Sequence, residues 1–187
     1  MEALQQNEYY TYADYAKWPD DGKRYELIDG LDYEMLAAPA TAHQRVSSNL
    51  HGQLWQFLKG KPCEVFHAPF DVCLFAKGDK DHTVVQPDIL VVCDSAKLDG
   101  KRCNGAPDMV IEITSTSTAS RDRVLKFNQY LKAGVREYWI VDPDNKTVSV
   151  HILKDGEYLA RAYAETDTVP VHVLEDCTIS LPDVFVE

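Results

Sequence analysis

Three side chains in this sequence are of types that do chemistry and sit where plain packing would not put them. The first is Asp88, in VVQPDILVV (84–92), a valine-rich run that reads as a buried strand. A buried carboxylate loses its solvation at high cost unless something pairs with it. Pro87 removes a ladder donor, which places this stretch near an edge or a bulge. The second is Glu112, in the apolar run PDMVIEIT (107–114). Side chains alternate faces along a strand, so Gln86, Asp88 and Leu90 share one face of the first run, and Val110, Glu112 and Thr114 share one face of the second. If the two strands are neighbours, Asp88 and Glu112 converge on one point. Two carboxylates in a low-dielectric site repel each other; a divalent cation that prefers hard oxygen ligands, Mg2+ or Mn2+, relieves this. The third is Lys126, in RDRVLKFNQYLKA (121–133), where Asp122, Lys126 and Tyr130 recur every four residues along one helical strip. Beside them Val124, Phe127 and Leu131 form an apolar stripe that should face the core. Lys126 then stands at the border of the buried side, with a stem long enough to carry its ammonium toward the carboxylates. There it can orient a metal-bound water or offset transition-state charge.

Each of these residues also has a plainer reading. Asp88 could be a turn residue after proline, Glu112 an edge-strand carboxylate, and Lys126 the partner of Asp122 on a solvated helix face. Tyr130 could cap the core edge. Glu26 lies in the hairpin RYELIDGLDYEML (24–36), either as a third site carboxylate or as a solvent-facing acid. His43 points to the buried side at the start of its helix, either near the metal or phosphate or as a satisfied core histidine. Gln86 shares its face with Asp88 and is a candidate to support it. Arg121, Arg123 and Lys126 cluster at one helix start beside four Ser/Thr residues at 115–118, a spot where a phosphate could dock.

The elements that must position these groups are legible in outline. Thr11 caps a short helix over 11–17, and Asp29-Gly30 turns the first hairpin. Val46, Leu50, Leu54 and Phe57/Leu58 recur at helical spacing over 42–59, and Gly60 ends that helix. Residues 63–75 form one bent strand or two, broken at Pro69; 77–81 form a solvated loop; 83–93 form one strand. After a loop over 95–106 come the strand at 107–114, the helix at 121–133 ending at Gly134, and a strand over 136–143. A second hairpin over 146–163 turns at Asp155-Gly156, and short strands near 169–173 and 177–181 finish the chain. Helices and strands mix, with parallel crossovers around 107–141, so the fold class is α/β or α+β around a mixed central sheet.

Together, RYELIDG (24–30), the Pro39 and His43 pair, VVQPDILVV, GAPDMVIEITSTSTASRD (105–122), Lys126, Tyr130 and GVREYWIVDP (134–143) resemble the PD-(D/E)XK nuclease superfamily, and within it the Uma-two family of restriction-endonuclease-like proteins. The resemblance covers nearly the whole chain. It implies a single domain over 1–187 with a restriction-endonuclease-like fold, a mixed sheet flanked by helices, an N-terminal hairpin and C-terminal strands. It implies a Mg2+- or Mn2+-dependent endonuclease acting on nucleic acid, DNA before RNA. Asp88, Glu112 and the backbone carbonyl of Ile113 would hold the metal, Lys126 would act on the water, Glu26 would assist, and His43, Gln86, Asp122 and Tyr130 would support. The superfamily's second motif reads acid, any residue, lysine; here it is Glu112-Ile113-Thr114, and Lys126 would take the lysine's role from the helix. A non-cleaving interaction module on the same scaffold is the alternative that Thr114 suggests.

Composition narrows the rest. A net charge of −11 disfavours unspecific binding to polyanions, although a local cluster with a cation can reverse the sign inside a cleft. The segments 15–34 and 155–187 are acidic and are expected to lie away from nucleic acid. The five cysteines, Cys63, Cys73, Cys93, Cys103 and Cys177, are odd in number and lack CxxC spacing, which argues for buried thiols over zinc or disulfides. No run of 18 apolar residues predicts a membrane span, and MEALQQNEYY lacks the pattern of a secretory leader, so the expected location is the cytoplasm. Pairing of sheet edges through the C-terminal strands would give a homodimer.

Overall fold

A computed structural model describes residues 9–19, 21–35, 40–114 and 122–186, with backbone alone for 122 and 123. The core of the molecule is a six-stranded sheet in the order β11-β10-β9-β8-β6-β3. These strands are β3 (Glu64–His67), β6 (Ile89–Val92), β8 (Met109–Ile113), β9 (Glu137–Asp142), β10 (Thr147–Lys154) and β11 (Glu157–Ala164). β8 and β9 run parallel and the other neighbours antiparallel, so the sheet is mixed, as the sequence predicts. A smaller sheet of β1 (Arg24–Ile28), β2 (Leu31–Met35), β4 (Val72–Cys73), β5 (Val84–Val85) and β7 (Cys103–Asn104) has the order β2-β1-β5-β4-β7.

Each face of the large sheet buries a separate core. On one face helix α2 (Thr41–Leu58) lays down Val46, Leu50, Leu54 and Leu58, its apolar stripe at four-residue spacing. These meet Ile89, Val91, Met109, Ile111 and Trp139, joined by Ile179, Leu181 and Val184 of the C-terminal segment. That segment carries β12 (Thr168–Pro170), β13 (Thr178–Ser180) and helix α4 (Leu181–Val184). On the other face Leu90, Val110, Tyr138 and Ile140 meet Ile28, Val72 and Val85 of the small sheet, Leu74 just after β4, and Tyr130 of helix α3 (Phe127–Ala133). A third patch lies under helix α1 (Tyr12–Tyr15), where Leu27 and Val84 meet Tyr12, Tyr15 and Trp18. Thr11 caps α1, its backbone N–H and hydroxyl both donating to Asp14 Oδ2.

Several sequence expectations are corrected here. Residues 83–93 are two strands, because the chain leaves the small sheet after Val85 and joins the large one at Ile89. Pro87 sits at that crossing, where no ladder needs its missing N–H. Residues 63–75 follow the second of their two expected readings, two strands on either side of Pro69, one in each sheet. In the supposedly solvated loop 77–81, Asp81 is fully buried and accepts from the N–H groups of Phe75, Lys77 and Thr83, which folds the loop around it. Cys63 and Cys93 are joined in a disulfide, whereas Cys73, Cys103 and Cys177 are free and buried. The β3–β6 register explains the pair: one step past Glu64 and Val92, the two cysteines stand opposite each other. Among the described residues no helix is long and apolar enough to cross a membrane.

Candidate active site

The candidate residues gather between the two sheets, at the end of β6 and β8 where the small sheet and α3 close over them. The β6–β8 register pairs Ile89 with Ile111 and Leu90 with Val110. One step beyond its last pair, just before β6 begins, the same register brings the Asp88 backbone opposite Glu112. With Pro87 the β6 backbone has already turned away, and the Asp88 side chain fills the gap: its Oδ2 accepts from the Ile113 N–H at 2.8 Å. The same oxygen lies 3.3 Å from Nε2 of His43, delivered by the first turn of α2. Asp88 keeps 21% of its side chain exposed, so this carboxylate is in partial contact with solvent.

Glu112 is 3% exposed and Glu26 not at all. Lys126, 1% exposed, joins them: its Nζ is 2.7 Å from Glu26 Oε1 and 2.8 Å from Glu112 Oε1. Tyr130 donates its hydroxyl to Glu112 Oε1 at 2.6 Å. The Gln86 N–H donates to Glu26 Oε1 at 2.9 Å. Burial and the neighbouring Glu112 and Glu26 charges hold the Tyr130 phenol well above its ordinary pKa, so it stays a neutral donor.

Lys126 reaches this position through an irregular turn. Residues Asp122–Lys126 form a π-helical turn that runs into α3. An i→i+5 turn adds a residue and shifts the helix face. Lys126, Gln129 and Tyr130 therefore point inward, while Val124, expected in the core stripe, is 58% exposed. Gly134, at φ 83°, ends the helix. The Asp122 side chain, the Ser/Thr run and Arg121 lie outside the described residues, as does the Arg123 side chain, and so does the phosphate-docking spot expected there.

Gln86 also departs from expectation, because the strand break at 86–88 cancels simple alternation. Its side chain turns from Asp88 into a polar cluster beside Glu26. Arg24 donates twice to Gln86 Oε1, at 3.0 and 2.8 Å, and Gln86 Nε2 donates to Asp71 Oδ1 at 2.8 Å and the Tyr15 hydroxyl at 3.1 Å. Burial and Asp71 push the Tyr15 phenol far up, so it too remains protonated. Arg24, Tyr15 and Asp71 were not foreseen. Arg24 had a signal, since it stands two residues before Glu26 on one strand face. The acidic segment 15–34 supplies Tyr15 and Arg24 to this polar cluster and Glu26 to the Lys126 ion pair. Thr114, where a lysine was expected, is 7% exposed and its hydroxyl donates to the Val141 carbonyl at 3.2 Å, continuing the β8–β9 ladder.

Formally the cluster sets three carboxylates, Asp88, Glu112 and Glu26, against one ammonium. Among the described residues no three His, Cys, Asp or Glu side chains already form a metal-holding group. Two carboxylates with an adjacent backbone carbonyl make a hard-oxygen donor set, and the excess negative charge is of the size that a divalent cation neutralises.

Residues 12–182 match the model of the Uma2 family, described as "Putative restriction endonuclease". An uncharacterized protein of Synechocystis sp., slr1290, is 26% identical over 157 residues, covering 82% of this chain and 80% of that protein. A crystal structure from Anabaena variabilis, described as a putative nuclease belonging to DUF820, has the same fold. Its TM-score is 0.74 at 22% identity, over 94% of this chain and 97% of that one.

Proposed function

Since the chain belongs to the Uma2 family, described as putative restriction endonucleases, we propose that it is a metal-dependent nuclease of PD-(D/E)XK type that hydrolyses phosphodiester bonds, of DNA in preference to RNA. The observation that carries this reading is the Lys126 ammonium held between Glu26 and Glu112, with Asp88 bonded to the N–H of Ile113, the residue next to Glu112. A lysine supplied by the helix stands in for the one that Thr114 replaces.

Asp88, Glu112 and the Ile113 carbonyl would hold Mg2+ or Mn2+, which when bound supplies a Lewis acid and a more acidic water. The chain's own residues do the rest. His43 and the Ile113 N–H fix Asp88 Oδ2, so the carboxylate keeps its direction. Lys126 and Tyr130 fix Glu112 Oε1 in the same way. Lys126 carries the positive charge that a pentavalent phosphate needs beside it. Glu26 draws the ammonium inward, and the Gln86 N–H orients Glu26. A net charge of −11 makes binding depend on this local centre, since the field of the whole protein repels nucleic acid.

The test is cleavage of supercoiled plasmid and of single-stranded DNA and RNA with Mg2+ or Mn2+, beside Asp88→Asn and Glu112→Gln. Both variants keep an oxygen that can accept the hydrogen bonds described and lose only the charge. Cleavage should vanish in each while the circular dichroism spectrum stays that of the wild type; cleavage retained in either overturns the assignment. Thr114, tied to the ladder, favours one other reading, an interaction module without cleavage. Calorimetry that finds no Mg2+ or Mn2+ binding at millimolar metal would decide for it.

A further inference from the structure

The end of the large sheet is open, and its chemistry is self-complementary. β11 pairs with β10 through eight consecutive residue pairs without a bulge, and no other described strand lies on its far side. Six of its eight residues are exposed, Leu159 by 54%. Sheet edges are normally blunted by Pro, Lys, a bulge or very short length. β11, EYLARAYA, has none of these.

The backbone fixes which groups face outward. The Leu153 N–H donates to the Arg136 carbonyl, toward β9, so the N–H groups of Ile152 and Val150 face β11. Leu159 and Arg161 are thus hydrogen-bonded to β10, and the outward N–H and C=O groups belong to Tyr158, Ala160, Ala162 and Ala164. The Ala164 N–H agrees, since it turns from β10 to donate to Asp167 Oδ2.

We propose that two copies of this chain pair antiparallel along β11 about a two-fold axis at Leu159. An edge can pair with itself only if outward residues meet outward residues, so the axis must pass through a residue. At Leu159, Tyr158 of each copy exchanges N–H···O=C bonds with Ala160 of the other. Leu159 meets its own copy as a non-hydrogen-bonded pair, where side chains approach closest. Glu157 meets Arg161 twice, once on each side of the axis. An axis at Arg161 opposes two arginines and sets Glu157 against Glu165. An axis at Ala160 sets Leu159 against Arg161. The edge of the small sheet offers no such match, because self-pairing of β2 about Tyr33 opposes Asp32 and Glu34. This pairing does not depend on nuclease activity.

The experiment is sedimentation velocity of the full chain with Arg161→Glu, Glu157→Arg and the double variant E157R/R161E. The wild type should sediment at twice the 21.1 kDa of one chain. Each single charge reversal places like charges opposite each other twice, and should raise the dimer dissociation constant about tenfold or more. The double variant restores both pairs and should return it to near the wild-type value. Ala160→Pro removes an outward N–H and leaves the β10 ladder untouched, and should also give monomer. A monomeric wild type, or a dimer indifferent to Arg161→Glu, overturns the proposal. All four side chains altered or opposed are exposed, so circular dichroism should report a folded chain throughout.

Discussion

Lys126 is the residue on which the buried site balances. Replacing it by methionine leaves Glu26 and Glu112 without their cation, in surroundings where neither is solvated. Breaking a buried pair in this way costs about 3–5 kcal/mol, and urea unfolding of Lys126→Met should show a loss of that size. Tyr130→Phe removes one hydrogen bond to the same carboxylate, and should lose about 1.5–3 kcal/mol together with part of any cleavage rate. A destabilisation of Tyr130→Phe below about 0.5 kcal/mol would show that the phenol does not hold Glu112. Asp88, Glu112 and Lys126 were legible in the sequence because a charged residue among apolar ones is conspicuous. Glu26 was a candidate as well, but its direct ion pair with Lys126 was not legible, because β1 and α3 lie far apart along the chain and no local pattern reports such a meeting. The polar cluster of Arg24, Gln86, Asp71 and Tyr15 was invisible for the same reason.

Elements with turn chemistry of their own were read correctly. Asp29-Gly30 and Asp155-Gly156 both have positive φ at each residue, the requirement of a two-residue hairpin turn. The α2 stripe was also right, residue for residue. The misreadings came where the pattern was degenerate. Apolar runs do not say which sheet they join, so the two short runs on either side of Gln86–Asp88 were read as one strand and the change of sheet was hidden. A helical period assumes 3.6 residues per turn, so the π-turn put Val124 on the wrong side. β9 carries a further element-scale consequence. Glu137 is buried, with Oε1 accepting from the Trp139 indole and Oε2 from the Val173 N–H, and so ties the C-terminal segment to the sheet. Burial, more than those bonds offset, raises its pKa above 4.5. The folded protein therefore binds more protons than the unfolded chain over the window that opens at 4.5, and stability falls as pH rises through it. Wild-type unfolding free energy should carry this negative slope contribution, and Glu137→Gln should lack it whatever its absolute stability. Identical slopes in the two proteins would remove the effect.

At the scale of the molecule, the two cores on opposite faces of one sheet divide the labour. The α2 face carries packing, while the other face carries the site at its margin. Leu54→Ala, at a position with no exposed surface in the α2 core, should cost about 2–5 kcal/mol and leave metal binding to the folded protein unchanged. Chemical denaturation and calorimetry check the two halves of that statement. The charge of −11 and the mixed sheet were both evident in the sequence, whereas the Cys63–Cys93 bridge emerged only from the β3–β6 register. Pairing through β11 would merge two six-stranded sheets about an axis normal to them. Both candidate sites would then face the same side, roughly 40 Å apart at ordinary strand spacings, on the order of one turn of duplex DNA.

The bond from the Ile113 amide to Asp88 Oδ2 gives this chain a resident spectroscopic probe. That proton belongs to the backbone, needs no label beyond nitrogen-15, and senses whatever polarises the carboxylate. Addition of Mg2+ should move its resonance before those of β11, at the opposite edge of the sheet. In Asp88→Asn the same proton should shift with no cation present and then ignore one.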